Sequence, residues 1–219
     1  MIIKLRYKDK NGTVNTNLEI DGHRLHVQLR GIEFEGVDFE SFESKEKNSM
    51  FDYSDDWGDL TNFGMEFVLP MSVLELPSNT RVEQLSCKIV AKNKEETKID
   101  LKLITSKGSW EVKDKREFED ALIALQKLLP KGDFLKSCLT CRYSHYHPVG
   151  NGIFGSLHCF SLLQEEALKI SDKFELMNLW RHEAVENELI FNVQETHLCD
   201  RFELVKKDDW VYKDWSFTE

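Results

Sequence analysis

The sequence predicts an α+β protein that is mainly antiparallel β-sheet. Apolar and polar residues alternate over much of the chain between residues 3 and 112, a segment with helical periodicity follows, and four of the five cysteines come after that segment. With 219 residues, of which 41% are hydrophobic, the chain is long enough to bury a sizeable core. We expect a β-rich, sandwich-like domain that ends in a helix over residues 1–132. A cysteine-cluster region over residues 133–219 should pack on it.

Alternation with a period of two predicts the strands of this sheet. Turn signals such as Asn11-Gly12 and Asp21-Gly22 separate the alternating segments, as in antiparallel hairpins. The alternating apolar positions are Ile3, Leu5, Tyr7, Leu18, Ile20, Leu25, Val27, Leu29, Leu85, Cys87, Ile89, Ala91, Ile99, Leu101, Leu103, Trp110 and Val112. Strands this closely spaced are typical of a β-sandwich or a strongly curved sheet. Because Cys87 is one of these positions, we expect it to be a core thiol.

One helix is predicted between Phe118 and Leu129, because apolar residues recur there at helical spacing and Pro130 with Gly132 ends the run. Its apolar stripe should cover one face of the sheet. A second helix is predicted from about residue 171 to 184. Short strands are predicted at 189–193 and 202–205, and the aromatic tail from Lys206 is expected to fold back onto the domain.

An acidic and aromatic segment, Phe51-Asp-Tyr-Ser-Asp-Asp-Trp-Gly-Asp-Leu60, follows neither period. Exposed aromatic side chains give contact area and neighbouring carboxylates select a basic partner, so one interpretation is a recognition loop. The other interpretation is a surface loop whose Phe51 and Trp57 tuck into the sheet.

The charge balance argues against several classes of partner. Thirty-nine acidic residues against twenty-nine basic ones give a net charge of -10, and no stretch rich in Lys or Arg is interleaved with aromatic residues. Nucleic-acid binding is therefore disfavoured, whereas a negative surface aids solubility or attracts a basic protein. The N-terminal segment lacks the apolar core of a signal peptide, and no apolar run approaches the ~18 residues that span a bilayer. We expect a cytoplasmic protein with no membrane partner.

Four of the five cysteines have a spacing typical of a zinc site. Cys138 and Cys141 form a C-x2-C knuckle, and Cys159 and Cys199 follow from two later segments. Zinc prefers a tetrahedron of thiolates, and a cytosolic protein keeps its thiols reduced, which favours metal binding over disulfides. The sequence therefore predicts a structural zinc site with these four ligands, which would hold distant segments together.

Three alternatives compete with this all-cysteine site. One of four nearby histidines could replace a cysteine, since imidazole is also a zinc ligand: His145, His147, His158 or His197. The cysteines could instead be reduced thiols of the core. The site could also be catalytic, with a metal-bound water and Glu195 as its base, although the H-x-E and P-C-x-x-C motifs of zinc deaminases are absent.

The segment between Cys141 and Cys159 contains three glycines and one proline, which predict a tight, irregular loop. It lacks the Gly-Lys-Ser/Thr ending of a phosphate-binding loop. We expect the glycines to let the backbone bend around the metal, with Tyr143, Tyr146 and Phe154 packed over it.

The same residues carry a resemblance to a known family. The run Cys138-Leu-Thr-Cys-Arg-Tyr-Ser, the segments His147-Pro-Val-Gly and Phe154-Gly-Ser-Leu-His-Cys-Phe160, and Val193-Gln-Glu-Thr-His-Leu-Cys199 resemble a bacterial family of unknown function. The resemblance covers roughly the C-terminal half. It implies a cytosolic bacterial protein with a shared cysteine cluster, and it implies no reaction.

These observations favour a zinc-stabilised protein that binds another protein. The most concrete version is an immunity-type inhibitor of a basic toxin domain, because an acidic surface, an acidic-aromatic loop and the lack of a catalytic motif all suit an inhibitor. An enzyme is less favoured: it would be a metal-dependent hydrolase that uses the same cysteine cluster with an open coordination position. No feature of the sequence specifies an oligomeric state.

Overall fold

A computed structural model describes residues 1–22, 24–75, 79–93, 95–148, 154–155, 157–180 and 189–215. In this part of the chain, no helix is long and apolar enough to cross a membrane. The strands are β1 (Ile2–Asp9), β2 (Gly12–Asp21), β3 (Arg24–Leu29), β4 (Ile32–Gly36), β5 (Asp52–Tyr53), β6 (Leu60–Thr61), β7 (Phe63–Glu75), β8 (Asn79–Ala91), β9 (Lys98–Thr105), β10 (Gly108–Lys115), β11 (Asp133–Lys136), β12 (Ser144–Tyr146), β13 (Leu157–Cys159) and β14 (Phe191–Val193). The helices are α1 (Phe118–Gln126), α2 (Gln164–Ala167) and α3 (Lys173–Leu179), and a 3₁₀ turn spans Cys138–Thr140.

Nine of these strands form one antiparallel sheet in the order β10-β9-β8-β7-β1-β2-β3-β4, with β11 paired to the C-terminal end of β7. The pairing of β1 with β7 joins the first four strands to the later ones. The predicted class, α+β and mainly antiparallel, is therefore confirmed. The strands belong to one continuous hydrogen-bonded sheet, which fits the curved-sheet interpretation better than the two separate sheets of a sandwich.

The long β7–β8 hairpin lies at the centre of the sheet, with thirteen residues in each strand. Every second side chain of β7 from Phe63 to Val73 is buried, and the inward residues of β8 include Leu85 and Ile89. Since side chains alternate across a strand, the sheet buries one face, here called the inner face, and leaves the outer face to solvent. Cys87 lies on the inner face, and burial raises its pKa, as expected of a core thiol.

Helix α1 packs against the inner face at β9 and β10. Its apolar stripe is buried as predicted, with Phe118 and Leu125 fully enclosed. The helix ends at Gln126, three residues before the predicted end, and Pro130 and Gly132 then turn the chain into β11. A hydrogen bond from Asp133 N to Pro130 O closes that turn, and Gly132 has a φ of +92°, which glycine adopts without steric cost.

Phe39 joins the sheet, the helix and the C-terminal region in one aromatic cluster. Its ring centroid lies 5.4 Å from that of Phe67 on β7, 6.0 Å from Phe118 on α1 and 5.2 Å from Phe154. All four rings are buried, and the Phe118 and Phe154 centroids are themselves 4.4 Å apart. No sequence pattern points to Phe39, because it lies between strands and follows no period.

The C-terminal region is held to the sheet at several points. Strand β11 opens this region and pairs with β7, and the main core includes Leu157 and Trp215 from later in the chain. A smaller core around Phe160 and Leu176 lies within the region itself. The predicted domain boundary at residue 132 stays a prediction. Of the second predicted helix, α3 is described, and residues 181–188 lie outside the described part of the chain.

Replacing Phe39 with alanine should lower the free energy of unfolding by about 3–5 kcal/mol, because the cavity would open between three elements that contact its ring. Urea denaturation followed by circular dichroism measures the change. Phe174→Ala is the matched control, since Phe174 is 76% exposed, and it should cost less than about 0.5 kcal/mol. Equal losses in the two variants would contradict the role given to the aromatic cluster.

Candidate functional site

Backbone pairing brings the four predicted zinc ligands together from separate segments. Cys138 begins the 3₁₀ turn, and Cys141 directly follows it. The N–H of Cys138 donates to the carbonyl of His197 at 2.6 Å. This bond places the segment of Cys199 beside the turn. Cys159 ends β13, where it pairs with Ser144 of β12, three residues after Cys141. Cys138, Cys141 and Cys159 are buried and Cys199 is half-buried.

The sulfur atoms contact one another as free thiols. The Cys138 thiol donates a hydrogen bond to the Cys159 sulfur, and this bond, with further help from Ser161, lowers the pKa of Cys159 to about 5. The same bond raises the pKa of Cys138. Burial, followed by the interaction with Cys159, raises the pKa of Cys199, and burial raises that of Cys141. Of these four thiols, that of Cys159 has the lowest pKa and therefore loses its proton most readily.

The described residues contain no disulfide, and all five cysteines are free. Within the same residues, no group of three or more His, Cys, Asp or Glu side chains has the spacing that holds a metal ion. Cys138 and Cys199 each hydrogen-bond to the Cys159 sulfur, and the charge of Cys159 also acts on Cys141. The zinc ligation by Cys138, Cys141, Cys159 and Cys199 stays a prediction.

Lys213, from the tail, holds the C-x2-C turn in place. Its ammonium group donates to the carbonyl oxygens of Cys141 at 2.6 Å and Cys138 at 3.4 Å, and to the Ser144 hydroxyl at 2.8 Å. The Ser144 hydroxyl in turn donates to the Cys138 carbonyl. Burial lowers the pKa of Lys213 to about 8. The sequence predicted that the tail folds back, and the backbone bond from Tyr146 N to Tyr212 O at 2.9 Å agrees, but no sequence signal pointed to Lys213.

The histidine alternative is weakened by the pairing of β12 with β13. Ser144 is opposite Cys159 and His145 is opposite His158, so the two histidines lie on the other face of the small sheet from Cys159. His145 is fully buried, its Nδ1 accepts from the N–H of Tyr212 at 3.1 Å, and burial lowers its pKa to about 3. His158 packs edge-on against Trp180 at 4.7 Å between centroids. This arrangement argues against His145 and His158 as ligands, whereas His197 lies close enough to Cys159 for its charge to lower the pKa of that thiol, so the alternative that His197 replaces a cysteine stays open.

Glu195 is enclosed and bound to internal donors. The Tyr146 hydroxyl donates to one of its oxygens at 3.2 Å, and the N–H of Gly155 donates to the other at 2.8 Å. Burial raises the pKa of Glu195 to about 8, and the charge of Glu119 adds to the shift. Burial likewise raises the pKa of Glu119 to about 7. A carboxyl group with both oxygens occupied in this way supports the surrounding loops, which is the structural role expected for most buried glutamates.

The predicted loop around the metal is described only in part, because residues 149–153 and 156 lie outside the described residues. Tyr143 is buried in the same small cluster as Cys141. The ring of Phe154 lies in the aromatic cluster with Phe39 and Phe118, and the same hydrophobic core includes Cys138 and Cys159. The packing of Tyr143, Tyr146 and Phe154 over a metal stays a prediction.

In the acidic-aromatic segment, one aromatic residue is buried in the core and the other is exposed. Phe51 tucks into the core, with its ring centroid 4.9 Å from that of Phe34, whereas Trp57 is 84% exposed. Strands β5 and β6 pair at the base of the loop. Inside it, the Ser54 hydroxyl accepts from the N–H groups of Gly58 at 3.0 Å and Asp59 at 3.1 Å. A braced loop therefore presents Trp57 to solvent.

Residues 1–144 match a family model described as "Family of unknown function (DUF6304)". The matched part covers more than half of the chain and contains the sheet, α1 and the C-x2-C turn. It ends before Cys159 and Cys199. No curated protein and no solved structure matches the chain.

Replacing Glu195 with glutamine should flatten the dependence of stability on pH. The buried carboxyl group keeps its proton up to about pH 8, whereas an unfolded chain loses it near 4.5, so stability is full at low pH and falls as pH rises through this window. Glu195 should contribute a loss of roughly 5 kcal/mol across this window in the parent protein, and Glu195→Gln should lack this contribution. Urea denaturation at a series of pH values measures it.

Glu165→Gln, at an exposed glutamate, serves as the control and should keep the parent slope. A residual slope in Glu195→Gln is expected from Glu119, whose pKa is also raised. If Glu195→Gln and the parent lose the same stability between about pH 5 and about pH 8.5, Glu195 is not the titrating group.

Proposed function

We propose that this protein is a zinc-stabilised module that binds a basic protein. The chain belongs to the DUF6304 family of unknown function, and membership of that family assigns no activity. The most concrete form of the proposal is an immunity-type inhibitor that neutralises a basic toxin domain in the cytoplasm of a bacterium. The observation that carries this proposal is the exposure of Trp57 at the tip of a braced acidic loop.

An exposed tryptophan on an ordered loop favours protein binding. Tryptophan is enriched among residues that dominate binding energy, and it is rarely left to water when the chain can bury it. The bonds from Gly58 and Asp59 to the Ser54 hydroxyl fix the loop before any partner arrives. Little conformational entropy would then be lost on binding, which leaves more of the contact energy for affinity.

Charge favours a basic partner. Asp55 and Asp56 flank Trp57 and are exposed, and the chain as a whole carries a net charge of -10. Complementary charge raises the association rate of such a pair and suppresses wrong partners. An inhibitor of a toxin benefits from both effects, because it must bind before the toxin acts.

The zinc part of the proposal is supported by the donor set. Four thiols from three segments lie near one another, three of them buried and Cys199 half-buried, and none of them is in a disulfide. Bound zinc would replace the thiol protons and tie these segments into one unit, with most of its binding energy appearing as folding energy. Lys213 lies against the carbonyls of Cys138 and Cys141 and would offset part of the negative charge of a zinc tetrathiolate.

The hydrolase alternative has no comparable support. A base for a metal-bound water must reach that water, and both oxygens of Glu195 are engaged by Tyr146 and Gly155. The binding function is therefore the better supported of the two.

Cys199→Ser should release zinc and lower the melting temperature, because the half-buried Cys199 supplies the fourth thiolate from a distant segment. Zinc content by mass spectrometry and thermal unfolding with and without a chelator measure both effects, and the parent should hold about one equivalent of zinc. Cys87→Ala is the matched control: it removes a core thiol outside the cluster and should keep the metal. A parent protein without zinc, whose melting temperature a chelator leaves unchanged, would refute the zinc site.

Trp57→Ala should weaken binding to a basic toxin domain encoded beside this gene by about tenfold or more, with little effect on folding, since the side chain is 84% exposed. Calorimetry with the two purified proteins measures the affinity, and co-expression tests protection of growth. Phe174→Ala removes another exposed aromatic side chain, on α3, and should bind like the parent. If Trp57→Ala binds with unchanged affinity, the loop is not part of the binding surface.

A further inference from the structure

The outer face of the large sheet combines positive charge with exposed aliphatic side chains. At its centre an open depression of about 920 Å³ crosses β2, β1, β7, β8, β9 and β10. The charged side chains that line it are five cations and three acids, namely Lys4, Arg6, Lys88, Lys102, Lys113, Glu66, Asp100 and Glu111. The lining of this depression is thus net positive by two charges in a chain whose net charge is -10.

The strand register explains which cations are available to a ligand. Arg6, Glu66, Lys88 and Asp100 are opposite one another on β1, β7, β8 and β9 and form a row of alternating charge. Arg6 contacts Glu66 at 3.0 Å and Lys88 lies 3.8 Å from Asp100, while Glu111 pairs with Lys113 at 3.2 Å. The three acids of the depression are therefore already neutralised by neighbours on the same face.

Lys4 and Lys102 belong to the next row and take part in none of the ion pairs found among the described residues; Lys102 is directly opposite Glu111 on β10, but Glu111 pairs with Lys113. Lys4 donates only to the side-chain oxygen of Asn17, at 3.0 Å. The two lysines lie on β1 and β9, which are three strand spacings apart, so their Cα atoms are separated by about 14 Å. Val68 and Ser86 lie between them on β7 and β8, and Lys102 is directly opposite Ser86.

Aliphatic side chains continue this face toward one end of the sheet. Val82 is 70% exposed and Ile2 is 67% exposed, and Val68 and Ile104 are about half exposed. In the register, Val82 is opposite Ser72 and Ile104 is opposite Gln84, so these residues share the outer face with Lys4 and Lys102. A group of exposed aliphatic residues beside unpaired cations is a feature of interaction surfaces.

We propose that this outer sheet face is a second docking surface, which binds an acidic protein segment that carries aliphatic side chains. Two carboxylates about 14 Å apart would reach Lys4 and Lys102, and an aliphatic residue between them would cover Val68. The proposal is independent of the loop that carries Trp57, because the expected partner has the opposite charge.

The chemistry of the face favours protein over nucleic acid. Single-stranded nucleic acids bind through aromatic side chains that stack on bases, and the aromatic residue that lines the depression, Phe67, is buried on the inner side. A phosphate backbone carries a charge at every nucleotide, whereas Arg6, Lys88 and Lys113 are already paired with acids, which leaves two cations about 14 Å apart. A protein segment can match that spacing with two single carboxylates.

The test uses a fluorescently labelled peptide in which aspartate alternates with valine, titrated with the full chain and followed by anisotropy. The parent should bind, and added salt should weaken the complex. Lys4→Glu combined with Lys102→Glu should lower the affinity about tenfold or more. The matched control, Lys127→Glu with Lys131→Glu, reverses two exposed lysines at the end of α1, the helix that packs on the inner face, and should bind like the parent.

Circular dichroism checks whether the charge reversal disturbs folding. If it does, the double variant Lys4→Gln with Lys102→Gln removes the two charges without reversing them, and it should still weaken binding several-fold. Val82→Ser should weaken binding without changing its salt dependence. No binding by the parent, or equal binding by the parent and both Lys4/Lys102 pairs, would overturn the proposal. Tighter binding of an oligothymidylate, or of vesicles with anionic lipid, than of the peptide would overturn it as well.

Discussion

The convergence of four chain segments on the C-x2-C turn constrains the rest of the C-terminal region. Strands β12, β13 and β14 have three residues each, too few to be stable as an isolated sheet. What holds them is a set of bonds to the turn: Cys138 N to His197 O, Arg142 N to Glu203 O, and the contacts of Lys213 with both cysteine carbonyls. A metal cross-link among the thiols would strengthen this same convergence, because it joins the same segments.

The N-terminal region is stabilised differently. Its sheet, the helix α1 and the Phe39 cluster bury a large apolar core, which needs no cross-link. That core reaches into the C-terminal region through Phe154 and Trp215, so the cysteine cluster forms against an ordered surface. The two proposed docking surfaces both lie in the N-terminal region, on the loop of Trp57 and on the outer sheet face. On this view the thiol cluster supports the fold and the sheet domain carries the contacts.

Sequence patterns predicted the features that depend on near neighbours. The alternation around Leu5 and Leu101 gave the correct inner face, and helical spacing from Phe118 gave α1. The spacing of the cysteines predicted a shared zinc site, which stays a prediction, although Cys138, Cys159 and Cys199 come from distant segments that lie side by side. Features that depend on distant partners were missed, namely Phe39 between sheet and helix, Lys213 at the turn, and the basic outer face. Lys4, Arg6, Lys88 and Lys102 share one surface only because strands from different segments pair.

The central claim is that Cys138, Cys141, Cys159 and Cys199 bind one zinc ion. X-ray absorption spectroscopy at the zinc edge of the purified protein tests it most directly, since it reports the number, type and distance of the ligands. Four sulfur atoms at about 2.3 Å are expected. A first shell that contains nitrogen or oxygen atoms at about 2.0 Å, or a protein that holds no zinc, would contradict the claim.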